Sequence, residues 1–151
     1  MPMPSPCRPP TSTDMQFELP VRVYYEDTDA GGVVYHAQYA AYMERARTDF
    51  LRALNLSQRD LREQFGVLFV VRAMQLDFHA PAVLDDALQV SAELSELRKV
   101  QLVFTQQVRR AEQVLVAATV RVATVNASTF KPAAIPAAMI PILKGALRPC
   151  P

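Results

Sequence analysis

The segment Glu26-Asp27-Thr28-Asp29-Ala30-Gly31-Gly32 sets two carboxylates two residues apart, next to a pair of adjacent glycines in a chain with only four. A carboxylate held on a loop can attack an acyl carbon, or take a proton from the water that does. Adjacent glycines let the backbone come close to a ligand. A helical pattern begins a few residues further on, and a helix start offers unpaired N–H groups at the positive end of its dipole. Such donors can hold an oxyanion, which makes carboxylate plus helix start a workable hydrolytic pair. The plainer role of an Asp in such a loop is solvation or helix capping, and the pattern by itself leaves both open.

Other reactive side chains are few. His36 and His79 are the two histidines. His36, at the expected helix start, either supplies only its backbone N–H or brings its imidazole to a ligand or a water; His79, beside Ala80-Pro81, reads as structural. Tyr35 and Tyr39 either line a pocket or belong to the core. Arg72 would be costly buried alone; it pairs with a helix carboxylate such as Glu44 or contacts an anionic group of a ligand. Cys7 and Cys150 sit near the two ends, and with the separated histidines they match no metal-ligand spacing, so no metal is expected. No G-x-S-x-G run supports serine hydrolysis.

These residues need elements to hold them. Val21, Val23 and Tyr25 alternate with Arg22 and Tyr24, so residues 17–25 read as a strand. Tyr39, Tyr42, Met43, Ala46, Phe50 and Leu54 recur at spacings of three and four, predicting one helix over about Gln38 to Leu54, with Glu44, Arg45, Arg47, Thr48 and Arg52 on its remaining faces. Ser57 and Gly66 bracket a shorter helix as cap and terminator. After Gly66 the period becomes two. Strands are expected around Met74–Phe78, Leu88–Leu94, Val100–Phe104 and Val114–Val122, joined by short turns, one of them at Pro81–Asp86. Short links predict an antiparallel meander. One long helix against a curved five-stranded antiparallel sheet is an α+β arrangement, and a sheet wrapped around one central helix is the hotdog fold. Other single-helix α+β sheets share this periodicity.

With 151 residues the chain fits one domain, and it is half hydrophobic. Five of its twelve prolines fall in residues 1–10 and five in 132–151, which marks 1–16 as a disordered Pro-rich leader, 17–136 as the domain and 137–151 as a C-terminal tail, with a short helix around Ala137–Lys144. The leader lacks the apolar stretch of a signal peptide, no apolar run is long enough to span a bilayer, and cysteines are sparse, so a soluble cytoplasmic setting is expected. A net charge of +1 without a basic block argues against nucleic acid.

The run from Val21 to Tyr39, centred on Asp27-Thr28-Asp29-Ala30-Gly31-Gly32-Val33-Val34-Tyr35-His36, resembles the signature of the 4-hydroxybenzoyl-CoA thioesterase family. It is most similar to the YbgC branch, the acyl-CoA thioesterases associated with the Tol-Pal system. Tyr42-Met43-Glu44-Arg45-Ala46-Arg47-Thr48, Phe69-Val70-Val71-Arg72, Ala80-Pro81 with Leu84-Asp85-Asp86, and Leu102-Val103-Phe104-Thr105-Gln106 fit the same branch. The resemblance extends over roughly Phe17 to Pro136. It implies a hotdog fold and hydrolysis of an acyl thioester to a carboxylic acid and a thiol, with no cofactor. It places the catalytic carboxylate on Asp29 and the oxyanion N–H at or next to His36. Gly31, Gly32, Tyr35 and Arg72 then become substrate-binding candidates. Where the parent enzyme of the family has Pro and Tyr, this chain has Ala30 and His36, which argues against a 4-hydroxybenzoyl substrate.

The substrate this implies is acyl-CoA, or an acyl group on acyl carrier protein. The fold implies a homodimer or homotetramer with sites at subunit junctions. One rival is a hotdog dehydratase or hydratase, which would use a His with an acidic partner. The other is a non-catalytic acyl-thioester or acyl-carrier-protein binding module.

Overall fold

The computed structural model describes residues 17–148. The expected leader, Cys7 and Cys150 lie outside them. Strand β1 (Phe17–Arg22) is shorter than its alternation predicts: after Arg22 the chain leaves the sheet and coils into a 3-10 turn at Tyr25–Asp27. Its Pro20 costs little, because β1 is an edge strand bonded only to β3 among the described residues.

Helix α1 (Gln38–Ala53) follows the expected span. Its buried face is Tyr39, Tyr42, Met43, Ala46, Arg47, Phe50 and Leu51. Arg47, assigned above to the polar faces, is therefore inside: it falls four residues after Met43 and four before Leu51, on one stripe. Ser57 caps the single turn α2 (Gln58–Asp60), its hydroxyl accepting from the Asp60 N–H at 3.0 Å. The helix widens into a π turn at Leu61–Phe65, and Gly66 stops it in the left-handed region at φ 64°.

Four strands complete the sheet: β2 (Val67–Phe78), β3 (Ala87–Leu97), β4 (Gln101–Arg110) and β5 (Gln113–Asn126). All pairings are antiparallel, in the order β1-β3-β4-β5-β2. This is the expected hotdog arrangement with one correction. Only β3, β4 and β5 form a meander; β2 pairs with β5, and residues 79–86 carry the chain across the sheet to β3. Short links fix only the neighbours they join, and the link from β2 to β3 is a crossover and not a hairpin.

The inward rows Leu88, Val90, Ala92 and Leu94 of β3, Leu102, Phe104 and Val108 of β4, and Val116, Ala118, Val120 and Val122 of β5 are buried. Helix α1 packs against β1, β3 and β4. Phe50 meets both Phe104 and Phe17 edge-on, at 5.7 and 6.0 Å between ring centres. Beyond residue 136, a 3-10 turn (Ala137–Met139) and α3 (Ile140–Ala146) bury Met139 and Leu143, and the Arg148 N–H donates to Leu94 O at 2.8 Å.

Candidate active site

Asp29 stands on an exposed turn whose ends are tied together. Its N–H donates to Val33 O at 2.9 Å, its carbonyl accepts from Gly32 N at 3.0 Å, and Thr28 bridges Val34. Gly32 makes the turn at φ 78°, which a Cβ would strain. The Gly31 N–H donates to Asp29 Oδ1 at 2.8 Å, fixing the carboxylate over the turn. Its other oxygen accepts nothing among the described residues and faces solvent. Asp29, Gly31 and Gly32 thus form one unit.

Asp27 plays a different part. It is buried, and its Oδ2 accepts from Tyr24 N at 2.8 Å, closing the 3-10 turn. The phenol of Tyr42 is buried without a well-formed hydrogen bond. Burial, and then the Asp27 carboxylate beside it, push that phenol well above its ordinary pKa. So of the two carboxylates in the motif, one is built into the fold and one is presented outward.

The crossover from β2 to β3 supports the turn from below. Val34 N donates to Ala82 O at 2.9 Å, Val33 bridges Val83, and the Ala82 N–H donates to the Tyr39 hydroxyl at 3.1 Å. Asp86 locks the crossover by accepting from Val83 N at 2.9 Å and from Arg110 at 2.7 Å. Burial alone would raise its pKa, but the Val83 N–H and the Arg110 guanidinium outweigh that and hold the carboxyl below its ordinary value.

Past the turn, Tyr35 N donates to Asp27 O at 2.8 Å and Gln38 N to Tyr35 O at 2.8 Å. The N–H groups of His36 and Ala37, immediately before α1, have no acceptor among the described residues. The exposed rings of Tyr35 and His36 lie 4.5 Å apart. His36 lines a cleft of about 300 Å³ with Val33, Tyr39, Phe78, His79 and Pro81. His79, given only a structural reading above, therefore shares a cleft with the other histidine. Their distance in sequence hid this, since only the pairing of β2 with β5 brings the end of β2 to the start of α1.

Arg72 is not part of this assembly. It lies exposed at a β-bulge between Val71 and Ala73 and has no partner among the described residues. The expected pairing with Glu44 is absent: Glu44 accepts from the Thr48 hydroxyl at 2.7 Å, and the arginine whose charge it feels is Arg47. The bulge carries Arg72 out of the alternation that faces α1.

The thioesterase superfamily, as a family-wide sequence pattern, matches residues 31–117. Acyl-CoA thioesterase YbgC of Haemophilus influenzae is 49% identical over 123 residues, covering 82% of this chain and 90% of that protein. Acyl-CoA thioester hydrolase YbgC of Escherichia coli O6:H1 is 50% identical over 125 residues, covering 82% and 92%. The crystal structure of a Thermus thermophilus protein superposes with a TM-score of 0.81 at 32% identity, covering 87% of this chain and 99% of that one.

Proposed function

Because the chain belongs to the thioesterase superfamily, we propose that it hydrolyses acyl-CoA thioesters to a carboxylic acid and free coenzyme A, with Asp29 as the catalytic carboxylate. The observation that carries this is the outward carboxylate of Asp29, clamped by Gly31 N–H a few residues before two acceptor-less N–H groups. The thioester carbonyl oxygen lies against the N–H of His36 and Ala37, which stabilise the negative charge that develops there. Asp29 then acts in one of two ways. It attacks the acyl carbon, expels the thiolate and leaves a mixed anhydride that water cleaves. Or it takes a proton from water as that water attacks, and the tetrahedral adduct collapses by expelling the thiolate, which leaves as the thiol. Where water opens the anhydride at the Asp29 carbonyl, a single turnover in heavy-oxygen water leaves label in the Asp29 side chain, which the second route never does.

Tyr35, His36 and the cleft walls Tyr39 and Phe78 flank the acyl group in this reading, and Gly31 and Gly32 let it approach the turn. Exposed Arg72 meets the anionic part of the carrier, a phosphate of coenzyme A or of the phosphopantetheine of an acyl carrier protein. No helix among the described residues is long and apolar enough to cross a membrane. The cytoplasmic setting rests on the sparse cysteines.

The test is thiol release from acyl-CoAs of short, long and aromatic type, by wild type and Asp29→Asn. Asn keeps the shape but cannot serve as nucleophile or base, so turnover should fall at least about a hundredfold. Near-normal turnover would remove Asp29 from the mechanism. Binding of acyl-CoA without release by wild type would favour the binding-module reading.

A further inference from the structure

Arg47 is the one charged side chain on the buried face of α1, with 7% of its surface exposed. A guanidinium has five N–H donors. This one makes a single hydrogen bond among the described residues, from Nη1 to the neutral Oε1 of Gln106 at 3.0 Å. Gln106 is otherwise committed, its Nε2 donating to Met43 O at 3.0 Å and Ser91 O at 3.1 Å. No carboxylate stands within ion-pair distance of Arg47 among the described residues. Loss of water lowers its pKa, an effect the nearby Glu44 only partly opposes. A buried cation without an anion is costly, and residues meant only to fill a core do not carry one.

The side chain lines a cavity of about 110 Å³ between α1 and the inner face of β2 and β5, with Glu44, Gln58, Phe69, Val71 and Val122. Glu44 is exposed to water and already accepts from Thr48, which in turn accepts from Gln58. The group with donors to spare at this cavity is therefore Arg47, and the complement of its charge is an anionic acceptor. Leu51, Phe69, Val71, Phe104 and Val122 make the rest of the lining apolar, which suits an acceptor carried on a hydrocarbon chain. Arg47 is nine residues along α1 from Gln38, about 14 Å from the helix start. Strand β2 comes to α1 at both ends of that stretch: Phe78 meets Tyr39 at 5.7 Å near the start, and Phe69 and Val71 reach the cavity. Half-buried Met74 and Leu76 lie between them.

We propose that Arg47 receives a carboxylate at the far end of the acyl chain, so that the protein selects thioesters of long dicarboxylic acids over fatty acyl thioesters of equal length. This rests on the acyl-CoA reading above, but its test does not depend on catalysis. Non-hydrolysable coenzyme A thioethers bearing a decyl chain that ends in methyl, hydroxyl or carboxylate are titrated into wild type, Arg47→Met and Arg47→Lys by calorimetry. Wild type should bind the carboxylate form about tenfold or more tighter than the methyl form. Arg47→Met should bind both alike, and Arg47→Lys should keep part of the preference, because it keeps the charge but loses the planar donor fork. Equal affinities in wild type would overturn the proposal, whether or not the variants fold. So would a hydroxyl form as tight as the carboxylate, or a preference that survives in a folded Arg47→Met. The role of Asp29 is judged separately, by turnover of Asp29→Asn.

Discussion

The two glycines beside Asp29 do different work, and substitution should separate them. A Cβ on Gly31 would sit 3.1 Å from Asp29 Oδ1, so the carboxylate must yield by a few tenths of an ångström. Gly31→Ala should therefore lower kcat several-fold to about tenfold while leaving Tm nearly unchanged, since misplacement of about 1 Å can cost a hundredfold. A Cβ on Gly32 meets nothing, but its φ of 78° is left-handed. Gly32→Ala should cost about 1–2 kcal/mol of stability. Kinetics and thermal melts on the pair check this, and a Gly31→Ala enzyme with unchanged kcat would detach the carboxylate's placement from the activity. The prominence of Asp29 was legible in the sequence because its loop sits between a clear strand and a clear helix. The division of labour between Asp27 and Asp29 was not, since both are acidic residues in one loop and only the folded chain shows the first held inward by Tyr24 N–H and beside Tyr42. Arg47 was missed for a related reason: its charge outweighed its position in the stripe from Met43 to Leu51.

Among the elements, those that bury a periodic face were the readable ones. The span of α1 follows from its periodic face, and the cap at Ser57 and the stop at Gly66 from local chemistry that the structure repeats. The crossover that carries β2's chain to β3 could not be read, because alternation reports that a residue lies on a strand and says nothing about which strand lies beside it. That crossover holds the Asp29 turn, and Asp86 holds the crossover, so its ionisation should matter to both stability and rate. Its folded pKa lies below the ordinary value of about 3.9. The stabilisation is thus complete above that value and is lost as pH falls through the lower folded value. Discounting for the partial exposure of Arg110, Asp86→Asn should cost about 1–1.5 kcal/mol at neutral pH, a Tm shift of about 2–6 °C. The gap between wild type and variant in thermal melts should narrow as the buffer drops below about pH 4. A gap that stays constant down to strongly acidic pH would mean that the Asp86 charge contributes nothing.

At the scale of the whole molecule, the two edges of the sheet are unlike. Edge strand β1 is six residues long and carries Pro20, which discourages pairing. Edge strand β2 is twelve residues long, without proline, and bonded only to β5 among the described residues. It leaves a row of backbone donors and acceptors open, with Val71 and Phe78 about half exposed beside them. Unblunted edges of this length are ordinarily covered. The simplest cover is the same strand of a second copy across a two-fold axis, which joins two sheets into one and repeats each contact twice. Phe78 and His79 at the end of β2 already wall the cleft beside His36. A partner seated on β2 would therefore close that cleft, and activity should depend on association. Sedimentation should show a dimer or a dimer of dimers, and turnover per chain should stay constant on dilution until dissociation begins, then fall with the dimer fraction. A monomer demonstrated by sedimentation that keeps full turnover would show that the cleft is complete within one chain, and would leave the open edge of β2 without a catalytic role.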